Sequence, residues 1–212
     1  GVPKQIILRS HNITAGNVEA YVESLDQPLK QADHIIDVGY SQVGTESAWR
    51  LANTASIMEA AKDAGINLIF ENADQVQEKQ VEAIREFIDR KVDVIVLSPV
   101  VDYGWDEVLE EAKAAGIPVL LSDRKINVKT DDLFETYIGA EFLEEGRSAM
   151  RWIVENVPAS ERGVSILELQ GTLGASPSTQ RKQGFEEILK QYPTYKIVYS
   201  KSGNFTFAQG KS

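Results

Sequence analysis

Asp123 and Arg124 stand side by side just after an apolar run of the chain. Trp49 with Arg50, and the trio Asp102, Tyr103 and Trp105, follow two other such runs, while Gln170 and Arg181 flank a further one. Planar carboxylates and guanidiniums can each pair with two neighbouring hydroxyls at once. Aromatic rings offer flat apolar faces against which sugar C–H groups pack. The mixture suits a carbohydrate site. Each group also has a plainer reading: a tryptophan near a helix start packs a core, an Asp-Arg pair makes a structural salt bridge, and an arginine on a polar helix start faces water. What favours the chemical reading is that several such groups fall at the ends of strands of one sheet.

Catalytic chemistry finds little to work with. No GxGxxG, GxxxxGK[ST], GxSxG or HExxH pattern occurs. There is no cysteine, which excludes disulfides, zinc-thiolate sites and thiol catalysis, and the two histidines are His11 and His34. No catalytic residue, metal ligand or cofactor is expected. Residues 171–174 (GTLG) make a short glycine loop of the kind that can cradle an anion at a helix start, or simply turn the chain. A glycosidase would need Asp102 and Asp123 to face one another about 5 to 10 Å apart.

The elements that must carry these residues follow a regular alternation. Apolar strands are expected at 34–43, 66–70, 93–97, 117–121, 137–140, 164–169 and 196–200. Between them lie helical patterns at 46–64, 75–91, 105–115, 141–155 and 178–191, two of which stop at Gly65 and Gly116. The first helix carries Trp49, Leu51, Ala52, Ala55, Ile57, Met58 and Ala61 at helical spacing, and the second Val76, Ile84, Phe87 and Ile88. Strands apolar throughout are buried on both faces, so the fold class is α/β, with Rossmann-like parallel sheets and helices on both faces. Ligands of such sheets sit beyond the carboxyl ends of the strands. That selects the loops at 41–47, 71–75, 98–104, 122–124, 139–141 and 170–178.

Composition sets the outer bounds. The 212 residues carry 32 acidic and 22 basic side chains, a formal net charge of −10. That argues against a nucleic-acid partner, whose phosphates call for clustered Lys and Arg. A hydrophobic share of 42% supports a core without covalent staples.

Three stretches together resemble one family. DVGYSQVGTESAWR (37–50), VDVIVLSPVVDYGWDEVLEEAKAAGIPVLLSDR (92–124) and ILELQGTLGASPSTQRKQGFEEIL (166–189) are similar to type I periplasmic sugar-binding proteins of the ribose and galactose type, and within them to galactofuranose-binding proteins. SGNFTFAQGK (202–211) resembles the loop that brings a second-lobe aromatic, although Phe207 stands where many relatives have arginine. The resemblance implies two lobes joined by a hinge, closing on a monosaccharide for the permease of an ABC importer, in the periplasm or otherwise outside the cytoplasm. It assigns first-lobe sugar contacts to Ser41, Trp49, Arg50, Asp123 and Arg124, and second-lobe contacts to Arg181 and Phe205. Asp102 and Trp105 join them by their position after a strand.

The same resemblance implies a first lobe at 32–140 and a hinge with an incomplete second lobe at 141–212, which a complementing chain would finish. VPKQIILRSHNITAGNVEAYVESL (2–25) looks like the family's own C-terminal tail, with Thr14 or Asn17 capping a helix, so residues 1–31 read as a tail-like segment and linker. That order implies a circular permutation, a tandem cut or a fragment, against a native extension. Two other functions share the architecture: the effector core of a sugar-responsive repressor and the sensor domain of a membrane kinase. The repressor would need a basic helix-turn-helix, and residues 1–31 hold only Lys4, Arg9 and Lys30 as cations.

Overall fold

The computed structural model describes the backbone of Gln5–Ile7 and all of residues 34–212. Strand β1 (Gln5–Ile7) lies parallel to β6; the rest of the tail-like stretch, with Thr14, Asn17 and His11, falls outside the described residues. From β2 onward the alternation appears as expected: β2 (Asp37–Gln42), α1 (Ala48–Asp63), β3 (Asn67–Asn72), α2 (Gln77–Asp89), β4 (Val94–Leu97), α3 (Asp106–Ala114), β5 (Val119–Ser122), β6 (Thr136–Gly139), α4 (Phe142–Asn156), β7 (Val164–Gln170), α5 (Ser176–Leu189), β8 (Tyr195–Ser202) and α6 (Phe207–Lys211).

Six strands form one parallel sheet in the order β1-β6-β5-β4-β2-β3. Connections that start from β2 run one way across it, and those from β3 through β4 and β5 run the other way. The crevice at that reversal, between the ends of β2 and β4, is where a doubly wound sheet offers room for a ligand. The core lies on one face, where Ile84 and Phe87 of α2 and Val108 and Leu109 of α3 pack on Ile95, Leu97, Val119, Leu121 and Tyr137. Alternate residues Val94, Val96, Leu120 and Ile138 point to the opposite face and are only partly buried.

Two sequence expectations are corrected here. Val76 precedes α2 as its cap and stays exposed, so the buried stripe of that helix is Gln80, Ala83, Ile84 and Phe87. α1 rests on edge strand β3 and buries only Arg50 and Ala61. Its apolar residues Trp49, Leu51 and Met58 are exposed, because a helix on a sheet edge has support along one side only.

β7 and β8 form a separate two-stranded parallel sheet, and α4 and α5, which lead into these strands, pack closely against each other. The two helices approach so closely that a Cβ on Gly184 would lie 1.9 Å from the carbonyl oxygen of Leu143. That contact holds Arg181, one turn before Gly184, against the first turn of α4.

Candidate functional site

The loop after β2 builds the first wall. Ser47 caps α1 by accepting the Arg50 amide at 3.1 Å, which turns the Arg50 side chain back under the helix start. Its guanidinium, 2% exposed as a residue, donates to Gln42 Oε1 at 3.1 Å and Asp123 Oδ2 at 2.8 Å, and lies 3.4 Å from Glu46 Oε1. Gln42 in turn grips α1 through Asn53 Oδ1 and Thr54 Oγ1, at 3.0 and 3.1 Å. Arginine suits this post because its fixed fork of donors can serve three acceptors at once.

The loop after β5 builds the floor. Asp123 takes a left-handed backbone with φ of 65°, an arrangement that non-glycine residues adopt at a cost and that gathers at binding sites. Arg124, also 2% exposed, donates through Nη1 to the carbonyls of Val100 and Pro99 at 3.0 and 3.3 Å. Its Nε finds no hydrogen-bond partner among the described residues, and the Asp123 carboxylate stands 3.8 Å off. Burial, with the like charge of Arg50 beside it, pushes the Arg124 pKa down to about 10. This is a charge short of acceptors. Glu46 Oε2, likewise buried, has no partner among the described residues.

Groups from α4, α5 and the loop after β8 close the far side. Phe205 lies under the Arg124 guanidinium at 5.4 Å from its ring centre, and Arg181 lies over Phe142 at 4.6 Å while bonding Glu145 at 2.7 Å. Trp49 lines the mouth, 55% exposed, with the Arg50 guanidinium 4.7 Å from its ring. The half-open cavity is about 370 Å³. Its ionic lining is balanced, with Glu46, Asp123 and Glu145 against Arg50, Arg124 and Arg181. A larger, mainly apolar hollow of about 490 Å³ adjoins it along β7 and shares Arg181 and Phe205. The smaller cavity carries the chemistry.

Six of the nine residues singled out from sequence therefore meet at one cavity: Trp49, Arg50, Asp123, Arg124, Arg181 and Phe205. Three do not. Trp105 is 0% exposed in the core, its Nε1 donating to the Val101 carbonyl at 2.8 Å, so its ring cannot reach a ligand. Ser41 is buried within the sheet beneath α2, its carbonyl taken up by the Ser98 amide. Asp102 spends its backbone on loop contacts, donating to Gly174 O at 2.8 Å, and its carboxyl is raised in pKa by burial, partly offset by its own amide. Only Asp123 of the suggested carboxylate pair lines the cavity. The 171–174 loop is the turn that receives the Asp102 amide. His34 pairs with Asp93 at 3.2 Å, before β4 begins and so at the sheet end opposite the cavity.

Sequence reading passed over Glu46, Phe142 and Glu145. A signal existed for the first, since Glu46 stands four residues before Arg50 at ion-pair spacing. The other two open the helix after β6, where nothing local distinguishes them from a solvated first turn. Among the described residues no acidic, histidine or cysteine group could hold a metal, and no helix is long and apolar enough to cross a membrane.

Residues 38–211 match the family model of the periplasmic binding protein domain. The chain is 44% identical over 176 residues to galactofuranose-binding protein YtfQ of Escherichia coli (strain K12), covering 83% of this chain and 55% of that protein. It superposes with a TM-score of 0.80 on a Mycobacterium smegmatis protein crystallised with β-D-fucofuranose, at 50% identity, covering 83% of this chain and 58% of the other. The periplasmic component of the arabinose ABC transporter from Shewanella sp. ANA-3, solved with α- and β-L-arabinofuranose, is 46% identical with a TM-score of 0.78, covering 82% of this chain and 57% of the other. The chain thus spans less than two thirds of each relative's length. The Escherichia coli and Shewanella relatives are named as binding proteins. By the family match and these identities, the chain belongs to the periplasmic binding protein family.

Proposed function

We propose that this chain forms the ligand-capturing part of a receptor that closes two lobes on a neutral monosaccharide, of the furanose kind, for an ABC importer. The observation that carries the reading is the charge-balanced cavity, three carboxylates against three guanidiniums, with an aromatic ring on each side. A balanced lining favours an uncharged polyol over a sugar phosphate or a uronate, each of which would leave a net charge behind. Relatives that bind fucofuranose, galactofuranose and arabinofuranose favour the five-membered ring.

The roles follow from the groups. Arg50 holds the Asp123 carboxylate toward the cavity, and Arg124, which lines the cavity and is short of acceptors, donates to a sugar hydroxyl. Trp49 and Phe205 pack on sugar C–H faces. Arg181, approaching from the far wall, completes the contact only when the lobes are together, so ligand favours closure. The lobes are assigned to 32–140 and 141–212. The part of the relatives that this chain does not span would finish the second lobe, from a companion chain or a longer protein, and the importer's permease would receive the loaded receptor outside the cytoplasm.

Isothermal titration calorimetry against galactose, ribose, arabinose and a galactofuranoside tests the reading. A micromolar or tighter response to one sugar is expected, with galactose 6-phosphate and galacturonate silent. Tighter binding of either anion than of every neutral sugar would overturn the neutral-ligand assignment.

A further inference from the structure

Behind the cavity, one side chain touches both pieces of backbone that the site depends on. Tyr137 of β6 is 3% exposed and does not line the cavity. Because β5 and β6 run parallel, with Leu121 beside Tyr137, the phenol points along the sheet toward the loop that follows β5. Its hydroxyl reaches the carbonyl oxygens of Asp123 at 3.0 Å and of Ala140 at 2.9 Å. One proton is shared between two acceptors. The first belongs to the residue with the left-handed backbone; the second begins the passage from the six-stranded sheet into α4, the helix that carries Glu145 and packs against Arg181.

Glycine at position 139 makes room for the hydroxyl. A Cβ on Gly139 would lie 2.2 Å from it and 2.8 Å from the Asp123 carbonyl, so only glycine lets the phenol lie across the exit of β6. Lys125 covers the ring, with Nζ 4.9 Å from its centre, and the same lysine bonds Glu141 at 3.5 Å. Its amide donates to Ser176 Oγ at the start of α5, at 2.8 Å. Asp123, Ala140, Glu141 and Ser176 are thereby tied to one small knot.

We propose that Tyr137 is a positioning residue of the sugar site: its hydroxyl holds the left-handed backbone of Asp123 and the β6–α4 passage in one geometry, so that first-wall and far-wall contacts form together. The inference rests on the binding role of the cavity. It predicts that the hydroxyl matters to affinity although it touches no ligand.

The test is Tyr137→Phe, which keeps the ring and removes only the hydroxyl. Affinity for the sugar that binds the unmodified protein should fall about tenfold, the weight of one buried hydrogen bond. In an Arg181→Ala background the same change should lower affinity less than about twofold, because the far wall no longer contributes. Amide hydrogen exchange of the ligand-free protein should speed up at 123–125 and 140–143 while β4 and α2 keep their protection. Additive affinity losses, or exchange that rises evenly through the core, would mean a merely structural tyrosine and overturn the proposal. If the unmodified protein binds none of the sugars, the receptor reading fails. The local exchange change then decides the positioning role alone: its appearance supports the role, and its absence ends it.

Discussion

Replacing Arg50 by alanine should destabilise the ligand-free protein strongly. The guanidinium is the shared partner of Asp123, Glu46 and Gln42, at 2.8, 3.4 and 3.1 Å. Without it, among the described residues the Glu46 side chain, 2% exposed, keeps only Arg124 Nη2 at 3.9 Å, and Asp123 keeps Arg124 Nε at 3.8 Å. Stripping one partner from a buried ionic group costs about 3–5 kcal/mol, since the remaining charge stays desolvated. The Asp123 side chain is 18% exposed, so water relieves part of this and places the loss near the lower end, at about 3 kcal/mol. For a chain of this size each kcal/mol moves the melting temperature by about 2–4 °C, so the drop should be about 6–12 °C. Arg50→Lys keeps the charge but loses the fork, and should fall between alanine and the unmodified protein. Thermal melts by circular dichroism, with no sugar present, make the comparison. A melting temperature for Arg50→Ala within about 2 °C of the unmodified protein would refute the desolvated-cage argument, because an exposed ion pair contributes that little.

Trp105→Ala should lose about 3–5 kcal/mol of stability from a filled core position, whereas Trp49→Ala should leave the melt unchanged and weaken sugar binding by about 0.5–1.5 kcal/mol; paired melts and titrations separate the two. Gly184→Ala drives a methyl into the Leu143 carbonyl and should loosen the α4–α5 pair by about 1–3 kcal/mol, seen as faster exchange in those helices. Asp93 is held below its ordinary value of 3.8 by the Asp37 amide first and His34 second. Its stabilising effect is therefore present above pH 3.8 and lost as pH falls through the lowered value. The melting-temperature gap between the unmodified protein and Asp93→Asn should be present at pH 6 and shrink once the pH falls below 3.8; a gap that widens in acid would show the sign to be wrong.

The alternation of apolar runs with helical patterns announced the parallel sheets, since residues buried on both faces cannot alternate in polarity. Strand ends placed Arg50, Asp123, Arg124 and Arg181 near a common edge for the same reason. Helix faces were less legible. The stripe on α1 reads as a buried face, yet α1 lies on edge strand β3 and leaves Leu51 and Met58 in solvent. Periodicity reports which side of a helix is apolar; how much of that side finds a partner depends on where the helix sits in the sheet order.

Trp49 and Trp105 make the same point at the scale of single residues. Both stand near the start of a helix that follows a strand, and nothing local tells them apart. One is 55% exposed at the cavity mouth and the other 0% exposed in the core, because α1 covers a sheet edge and α3 covers the middle of a face. Residue types and their spacing determined the fold class, the absence of nucleophile motifs and the pool of candidate site residues, all of which are local or periodic properties of the chain. Which members of that pool share a cavity, that Glu46 and Glu145 balance its charge, and that Tyr137 braces it from behind were decided by the tertiary structure. Those facts depend on distances between segments that the fold brings together, 36 positions apart for Glu145 and Arg181 and 73 for Arg50 and Asp123, which are joined at 2.8 Å. No local pattern encodes such a distance.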